Sequence, residues 1–585
     1  MQFNDLCEYL VKLEDLSSRN EMTEILVELF SKLEGKEIDQ AIYFMQGRIA
    51  PLYEPIEFNL SIKLVLKALE AHSSNNDIQA LFKKLGDVGL VAEEVNKDSG
   101  LSKYSITSIF EHLNEIAEIE GTNSQSAKQT LLQELAQNTS GLELKYITRI
   151  IVGKLRLGLS DKTFLDALSW YLSGDKSLRA EIERAYGVNA DLGYVARLVI
   201  EGGVEAIKDI HLTPGIPVAS KLVQREATPQ TLFERLGDCY IQPKYDGLRL
   251  QVHYDKNGLG EEKVSMSLLG AEKKTVKMFS RNMENLTYMM PDVIEQVELL
   301  GVESIIFDSE AIGFDPSSGE LVSFQETISR KRKTGIIEAA KATPLKVFAF
   351  DILHINGRDL MQTGLEERLQ ILKEVVDSGK SENIEFAESV LVKSAEELDA
   401  KFKEYTDAGL EGLIAKDLGT LYEPGTRNYD WIKLKVKAQK ELADTVDAVV
   451  LGYYSGRGVR AKFGIGALLI GCYDNKNDKY LSLAKLGTGI KDSDWPIFKK
   501  ALDEISVDAL AENVEIDKQV MPDVLVRPEI VVVVEADEVT VSKVHGYVGK
   551  DGLSLRFPRL KQFAREDKDP EQITTVEELE QLAKL

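Results

Sequence analysis

The sequence predicts a multidomain α+β protein with an all-α N-terminal domain, a mixed α/β central domain and a small C-terminal β-barrel. Three observations predict it. Apolar residues recur at helical spacing over roughly the first 215 positions, the period changes to two from about residue 238, and short glycine-punctuated strands follow Lys437. A chain of 585 residues, 43% hydrophobic and 29% charged, has material for several cores and is neither disordered nor collagen-like.

In the helical part, Met22, Ile25, Leu26, Leu29, Phe30 and Leu33 share one face, and Gly35 is the expected C-cap. Ser160 is the expected N-cap of a helix through Phe164, Leu168 and Leu172, after the basic turn Gly153-Lys-Leu-Arg-Leu-Gly158. Thr213-Pro-Gly-Ile-Pro217 breaks the pattern and reads as a linker. Beyond it, Leu248, Leu250 and Val252 alternate with Arg249, Gln251 and His253, the pattern of a half-buried strand. Strands are expected at Ser304–Ala311, Val347–Leu353, Gly412–Lys416 and Trp431–Lys435, with a helix over Leu365–Val376 between them. The barrel strands are expected at Val446–Tyr453, Gly464–Tyr473 and Ile530–Ala536.

The 71 Lys+Arg against 96 Asp+Glu leave a net charge of −25, which taken alone argues against a nucleic-acid partner. Binding depends on where positive charge sits, and it clusters: Lys154 with Arg156, Arg330-Lys-Arg332-Lys333, and Arg457 with Arg460 and Lys462. One cluster per domain suits a protein that neutralises the phosphates of an encircled duplex without reading sequence. Cys7, Cys239 and Cys472 are too scattered for a disulfide framework or a CxxC zinc site. No apolar run approaches the ~18 residues of a membrane span, and the N-terminus lacks the pattern of an export signal. A reducing intracellular compartment is expected.

The segment Gln242-Pro-Lys244-Tyr-Asp246-Gly247-Leu-Arg249 carries the chemistry. Alone, Lys-x-Asp-Gly arises by chance in about one chain in ten of this length, as a turn before a strand. A lysine that attacks phosphorus must be neutral, and a free one with a pKa near 10.4 is so only about once in two thousand at pH 7. Neighbouring positive charge or loss of water lowers that pKa. Alternation in Trp431–Lys435 puts Lys433 and Lys435 on one face, where both can enter one pocket, hold a phosphate and depress the pKa of Lys244.

Downstream come Ser280-Arg281-Asn282, Phe307-Asp-Ser-Glu310, Val347-Phe-Ala-Phe350-Asp351, Glu411-Gly412-Leu-Ile-Ala-Lys416, Trp431-Ile-Lys433-Leu-Lys435 and Leu555-Arg556-Phe-Pro-Arg559. In order and chemistry the series resembles the covalent nucleotidyltransferase superfamily of ATP-dependent DNA ligases, archaeal and eukaryotic replicative type, over nearly the whole chain. The resemblance implies a DNA-binding domain over 1–215, an adenylation (nucleotidyltransferase) domain over 216–437 and an OB-fold domain over 438–585. It implies sealing of 5′-phosphate/3′-hydroxyl nicks in duplex DNA through an adenylate on Lys244, with ATP and Mg2+ or Mn2+ as cofactors.

Site roles follow by the same resemblance. Gln242, Arg249, Arg281, Glu310, Phe350, Arg427, Lys433 and Lys435 are expected around the nucleotide, and Glu310 and Glu411 around a metal. Arg556 and Arg559 are expected on the pyrophosphate, and Lys154, Arg156, Arg330, Arg332, Arg457 and Lys462 on DNA. Gln242 stands where glutamate is frequent in relatives, which bears on strictness for ATP. RNA ligases and capping enzymes share the lysine motif but generally lack the helical front domain, and the three dispersed cysteines cannot supply the zinc module of NAD-dependent ligases. A non-catalytic clamp or scaffold would not keep all of Lys244, Glu310, Glu411, Lys433 and Lys435.

A sliding clamp is a partner by resemblance only. Gln40-Ala-Ile-Tyr-Phe44 looks like a clamp-binding box, yet it sits in a helical apolar pattern and is expected in the core. The remaining expectation is a monomer with no membrane contact, in the nucleoid-associated cytoplasm of a prokaryotic cell.

Overall fold

The computed structural model describes residues 1–16, 18–72, 77–100, 102–259, 274–332, 334–435, 445–456, 458–542, 552–565 and 567–584. The chain forms two compact bodies, Met1–Ser74 with Ala92–Lys435, and Asn75–Val91 with Val436–Leu585. The expected helical and adenylation domains thus share one body.

The front of the first body is helical, from Phe3–Asp15 to Leu192–Lys208. In Arg19–Phe30, Met22, Leu26, Leu29 and Phe30 of the predicted stripe are buried together with Thr23, and Leu33 is buried just beyond, while Ile25 is only half-buried. Ser31 closes that helix, and Gly35, at φ 55°, is instead the N-cap of Lys36–Met45. A tight turn between two helices puts both ends within a few residues, so the glycine serves the second. Ala41, Ile42, Tyr43 and Phe44 are buried in Lys36–Met45, which makes the clamp-like box core. Ser160 precedes Asp161–Ser173 as expected, with its hydroxyl on that of Thr163 at 3.1 Å. Among the described residues no helix is long and apolar enough to cross a membrane.

Two sheets build the rest of the first body. One has the order Leu222–Arg225, Arg427–Lys435, Gly412–Asp417, Cys239–Pro243, Val390–Val392. The other runs Val276–Ser280, Leu248–Asp255, Ser304–Gly313, Leu345–Ile355, Arg358–Asp359, with Ile384–Phe386 also paired to Leu345–Ile355. Residues 244–247 carry the chain from the first sheet into the second. The strand Leu248–Asp255 departs from its half-buried expectation: Gln251 is 3% exposed and His253 0%. Its polar face is covered by the Thr213–Val218 segment, so the residues of that face satisfy one another by hydrogen bonds instead of meeting water.

Arg330, expected on DNA, is 1% exposed and held inside. Its guanidinium donates to both oxygens of Asp292 (3.1 and 2.6 Å) and to the Thr343 carbonyl at 2.6 Å. A basic run in sequence carries no mark of which arginine turns inward, and here Arg330 ties the start of the helix Pro291–Glu298 to the end of the helix Ile336–Ala342. Arg332 remains exposed, Lys333 lies outside the described residues, and Lys331 pairs with Glu284 at 2.6 Å.

In the second body, Val446–Tyr454 is the spine of a β-rich half-barrel. It pairs with Ala467–Asp474 on one side and with Val524–Val526 and Val531–Glu535 on the other. The sheet continues to Lys479–Leu486, and Arg559–Gln562 pairs with Val531–Glu535. Val450, Leu468, Ile470, Leu483, Trp495 and Val532 fill its interior.

Candidate active site

The strand Gly412–Asp417 lies between Cys239–Pro243 and Arg427–Lys435, and this placement assembles the lysines. Ile414 faces Gln242 on one side and Lys433 on the other, while Gly412 faces Lys435. The Lys244 N–H donates to the Gly412 carbonyl at 2.9 Å, and the Glu411 N–H donates to the Lys244 carbonyl at 3.2 Å. The motif lysine is thus clamped at its backbone, with a side chain 20% exposed.

Gly412 has φ 139°, and a Cβ there would lie 2.1 Å from the Leu434 carbonyl oxygen. Only glycine allows the two strands to approach so closely. Gly412→Ala is expected to cost at least about 2 kcal/mol, read as a shift in the denaturation midpoint. Gly247 has a different reason: a Cβ there would meet the Ala311 carbonyl oxygen at 2.5 Å.

The electrostatics centre on Glu411. Its carboxylate is hydrogen-bonded to the Lys244 ammonium and pairs with Lys435 at 2.8 Å. Burial pushes the Glu411 carboxyl up, but Lys244 and Lys435 together hold it below its ordinary value. An anion therefore stands between Lys244 and Lys435, where the sequence suggests cations alone. Lys433 is the lysine that cations surround: loss of water, then Lys435, Lys244, Arg281 and Arg427, lower its pKa.

Across the second sheet, Arg249 and Glu310 are directly opposed on neighbouring strands, and Glu310 also faces Phe348. Burial pushes Glu310 up to about 7, against the pull of Arg249, Lys244 and the Gly247 N–H. Arg249 donates through Nη2 to Asp308 at 2.7 Å, while its buried Nε has no partner among the described residues. A buried, unsatisfied guanidinium N–H is costly unless a ligand completes it.

A small aromatic wall adjoins these groups. Tyr245 stacks on Phe348 at 4.2 Å, and Ile312, Ala387 and Phe350 pack with them. Phe350 is half-buried, with the Arg249 guanidinium carbon 4.7 Å and the Lys416 Nζ 5.0 Å from its ring centre. The buried Gln242 donates through Nε2 to the Phe350 carbonyl at 3.1 Å and to Ser389 Oγ at 2.8 Å. The carbonyl partner fixes which amide atom is the nitrogen, leaving Oε1 as an acceptor.

Three family models match successive parts of the chain. "DNA ligase N terminus" covers residues 2–169, "ATP dependent DNA ligase domain" 266–435 and "ATP dependent DNA ligase C terminal region" 461–568. The "Probable DNA ligase" of Dictyoglomus turgidum is 42% identical over 99% of this chain and 97% of its own length. "DNA ligase 2" of Thermofilum pendens is 34% identical over 100% and 97%.

The chain belongs to the ATP-dependent DNA ligases.

The solved structure Pmar-Lig_PreS3 shares the fold, with TM-score 0.53 and 17% identity over 95% of this chain and 99% of its own.

The ligase brings together the residues its sequence singled out in the first body. Lys244, Gln242, Arg249, Glu310, Phe350, Glu411, Lys433 and Lys435 line one region, with Arg281 and Arg427 exposed beside it. Arg281 follows the strand Val276–Ser280, and Arg427 opens Arg427–Lys435. In the second body, Arg556 ends the strand Gly552–Arg556 and lies 5.4 Å from the Phe557 ring. Arg559 begins the next strand and pairs with Asp537 at 2.6 Å. Lys154 and Lys462 are exposed and Arg156 half-buried, while Arg457 lies outside the described residues.

Sequence reasoning missed three buried partners of this site. Lys416 is 0% exposed, donates to the Phe350 carbonyl at 3.0 Å and lies 4.0 Å from the Trp431 ring centre. Burial pushes its ammonium down to about 7, with Asp351 opposing and Arg368 reinforcing. Asp308 was quoted only as company for Glu310, and Tyr422 had no signal, since a lone tyrosine in a loop carries none. The lysine ending Glu411–Lys416 was readable: a charge in phase with an otherwise apolar strand face is buried by alternation.

Proposed function

We propose that this DNA ligase seals 5′-phosphate/3′-hydroxyl nicks in duplex DNA through an adenylate carried on Lys244. The observation that carries the reading is the company of the Lys244 Nζ: Glu411 in hydrogen-bond contact, Lys433 and Lys435 on the next strand but one, and Arg249 with an uncompleted N–H. Deprotonated Nζ attacks the α-phosphorus of ATP, a P–N bond forms, and the P–O bond to pyrophosphate breaks. An oxygen of the nick's 5′-phosphate then attacks the same phosphorus, and the P–N bond breaks. Finally the 3′-hydroxyl oxygen attacks the 5′-phosphorus, a phosphodiester forms and AMP leaves.

Each expected residue has a chemical task in this scheme. Gln242 Oε1 accepts from the exocyclic amino group of adenine, whereas guanine would present a carbonyl there, so the residue supports ATP use. Phe350 stacks on the base. Glu310 takes a ribose hydroxyl, Arg249, Arg281 and Arg427 hold sugar and phosphate oxygens, and Lys433 and Lys435 neutralise the α-phosphate. Arg556 and Arg559 stabilise the leaving pyrophosphate. Lys154, Arg156, Arg332 and Lys462 contact DNA phosphates, a mode that asks nothing of base sequence. The protein acts as a monomer.

The donor set also suits a hard divalent cation. No cluster of three or more metal-ligating side chains occurs among the described residues, and Glu310 and Glu411 are the carboxylates beside the phosphate-binding lysines. Mg2+ typically takes one or two carboxylates plus substrate phosphates and water, so these two would hold it. When bound, Mg2+ or Mn2+ neutralises charge that builds on the phosphates.

The test is a two-stage labelling. Protein incubated with α-labelled ATP and Mg2+ is expected to gain an acid-labile label, which moves to DNA on addition of a nicked duplex and ends as free AMP with sealed product. Label from NAD or GTP but not ATP, or no label on protein at all, overturns the reading.

A further inference from the structure

The segment that leaves the helical part of the chain is wired into the back of the nucleotide site. Gln251 is the junction. Its Oε1 accepts from the Val218 N–H at 2.7 Å, and its Nε2 donates to the Val218 carbonyl at 3.1 Å and to Asp308 Oδ1 at 3.2 Å. His253 adds a second tie. The Gly215 N–H donates to its Nδ1 at 3.1 Å, so Nε2 carries the ring proton and donates to Gln251 Oε1 at 3.0 Å. Burial, then Lys277 and His354, push this histidine down to about 3, which keeps it neutral and in that tautomer at neutral pH. Every donor and acceptor of the Gln251 amide is used.

A third tie arrives from the other side. The Lys221 N–H donates to the Tyr422 hydroxyl at 3.2 Å, and that hydroxyl donates to Asp308 Oδ2 at 2.6 Å. The same carboxylate oxygen receives Arg249 Nη2 at 2.7 Å. Asp308, Gln251, His253 and Tyr422 are all at most 3% exposed. Water therefore cannot substitute for a lost partner without opening the packing. Arg249 leaves this network with its Nε uncompleted beside Glu310, on the side where the nucleotide is placed above.

We propose that Tyr422 and Gln251 are positioning residues for lysine adenylation: they lock Asp308 between the Gly215–Lys221 backbone and Arg249, and so aim the Arg249 guanidinium at the nucleotide. The segment makes these ties through backbone atoms, and the side chains that read them come from the strand Leu248–Asp255 (Gln251 and His253) and from the loop after Gly412–Asp417 (Tyr422). The network fixes both oxygens of one carboxylate, Oδ1 through Gln251 and Oδ2 through Tyr422, and among the described residues this carboxylate is the hydrogen-bonded anchor of the arginine, beside its contact with the Phe350 ring. The proposal rests on the placement of ATP beside Arg249, and its test separates the two.

ATP affinity is measured by calorimetry on the full chain carrying Lys244→Ala, which binds without reacting. Arg249→Ala is expected to weaken ATP roughly tenfold, as for a lost charged contact. Tyr422→Phe, which keeps the ring against Trp431, is expected to weaken it about fivefold, and Gln251→Met similarly. In the Arg249→Ala background, Tyr422→Phe is expected to change affinity by less than about twofold, because it acts only through that arginine. With Lys244 restored, Tyr422→Phe is expected to raise the KM for ATP in adenylation more than it lowers kcat. An equal loss in both backgrounds, or no loss from either Tyr422→Phe or Gln251→Met, overturns the positioning role. No loss from Arg249→Ala overturns the nucleotide placement instead.

Discussion

Lys244→Ala is expected to lower sealing of an ordinary nick by at least about 10^4-fold, the scale of losing a covalent nucleophile. The same variant is expected to seal a nick that already carries adenylate on its 5′-phosphate, to within about a hundredfold of the parent. That last displacement uses the 3′-hydroxyl as nucleophile and needs no nitrogen carrier. Lys244→Arg sharpens the comparison. It keeps a cation for Glu411, whose carboxylate would otherwise face Lys435 alone, but guanidinium does not lose its proton at accessible pH. It is expected to fail at adenylation as completely as alanine does. Comparable loss on the adenylated and the ordinary nick would show that Lys244 does no covalent work.

The second large effect is on stability. Arg368 and Asp351 form an ion pair with both side chains 0% exposed, at 2.8 Å through Nε and 3.1 Å through Nη2. Arg368 also donates to the carbonyls of Thr363 at 2.5 Å and Thr420 at 3.0 Å. One guanidinium thus joins the helix Leu365–Ser378, the strand Leu345–Ile355 and the loop leading to Tyr422. Arg368→Met leaves a buried carboxylate without its main partner and is expected to cost about 3–5 kcal/mol, measured as a shift in the denaturation midpoint.

The pH dependence of that deficit has a definite sign. Burial pushes the Asp351 carboxyl up, but Arg368 and Lys416 hold it below its ordinary value in the folded protein. Its contribution is therefore full above the unfolded carboxyl range near about 3.9 and is lost as pH falls through the lower folded value. Without Arg368, the carboxylate can escape burial as an ion only by taking a proton. The penalty of Arg368→Met is expected to be largest near neutrality and to shrink toward pH 4. A deficit independent of pH would mean that lost packing, and not the charge, sets the cost.

Much of the site was legible because strand alternation is local. Two lysines at 433 and 435 must share a face, and the structure has Ile432 and Leu434 buried while the lysines are half-exposed. Lys244, Glu310, Phe350 and Glu411 were located differently, by the resemblance of their ordered motifs to a known family. What was not legible depends on cover from elsewhere in the chain. Gln251 and His253 read as a water-facing edge because nothing in their own strand announces that residues 213–218 lie across it. Arg330 and Arg332 are two residues apart, yet only tertiary packing decides that the first turns in to Asp292. The bridging of Lys244 and Lys435 by Glu411 was likewise hidden, since strand order in the sheet, which sets Glu411 between the strands of its two partners, is not written in the sequence.

Proline and glycine at 213–217 look like a convenient place to cut. The Gly215 and Val218 amides are nevertheless bonded to the side chains of His253 and Gln251, so the joint is stitched to the sheet. An excised adenylation fragment starting at residue 219 would expose two polar side chains whose valences were filled by the discarded piece. Fragments that retain Thr213 onward keep that seam closed.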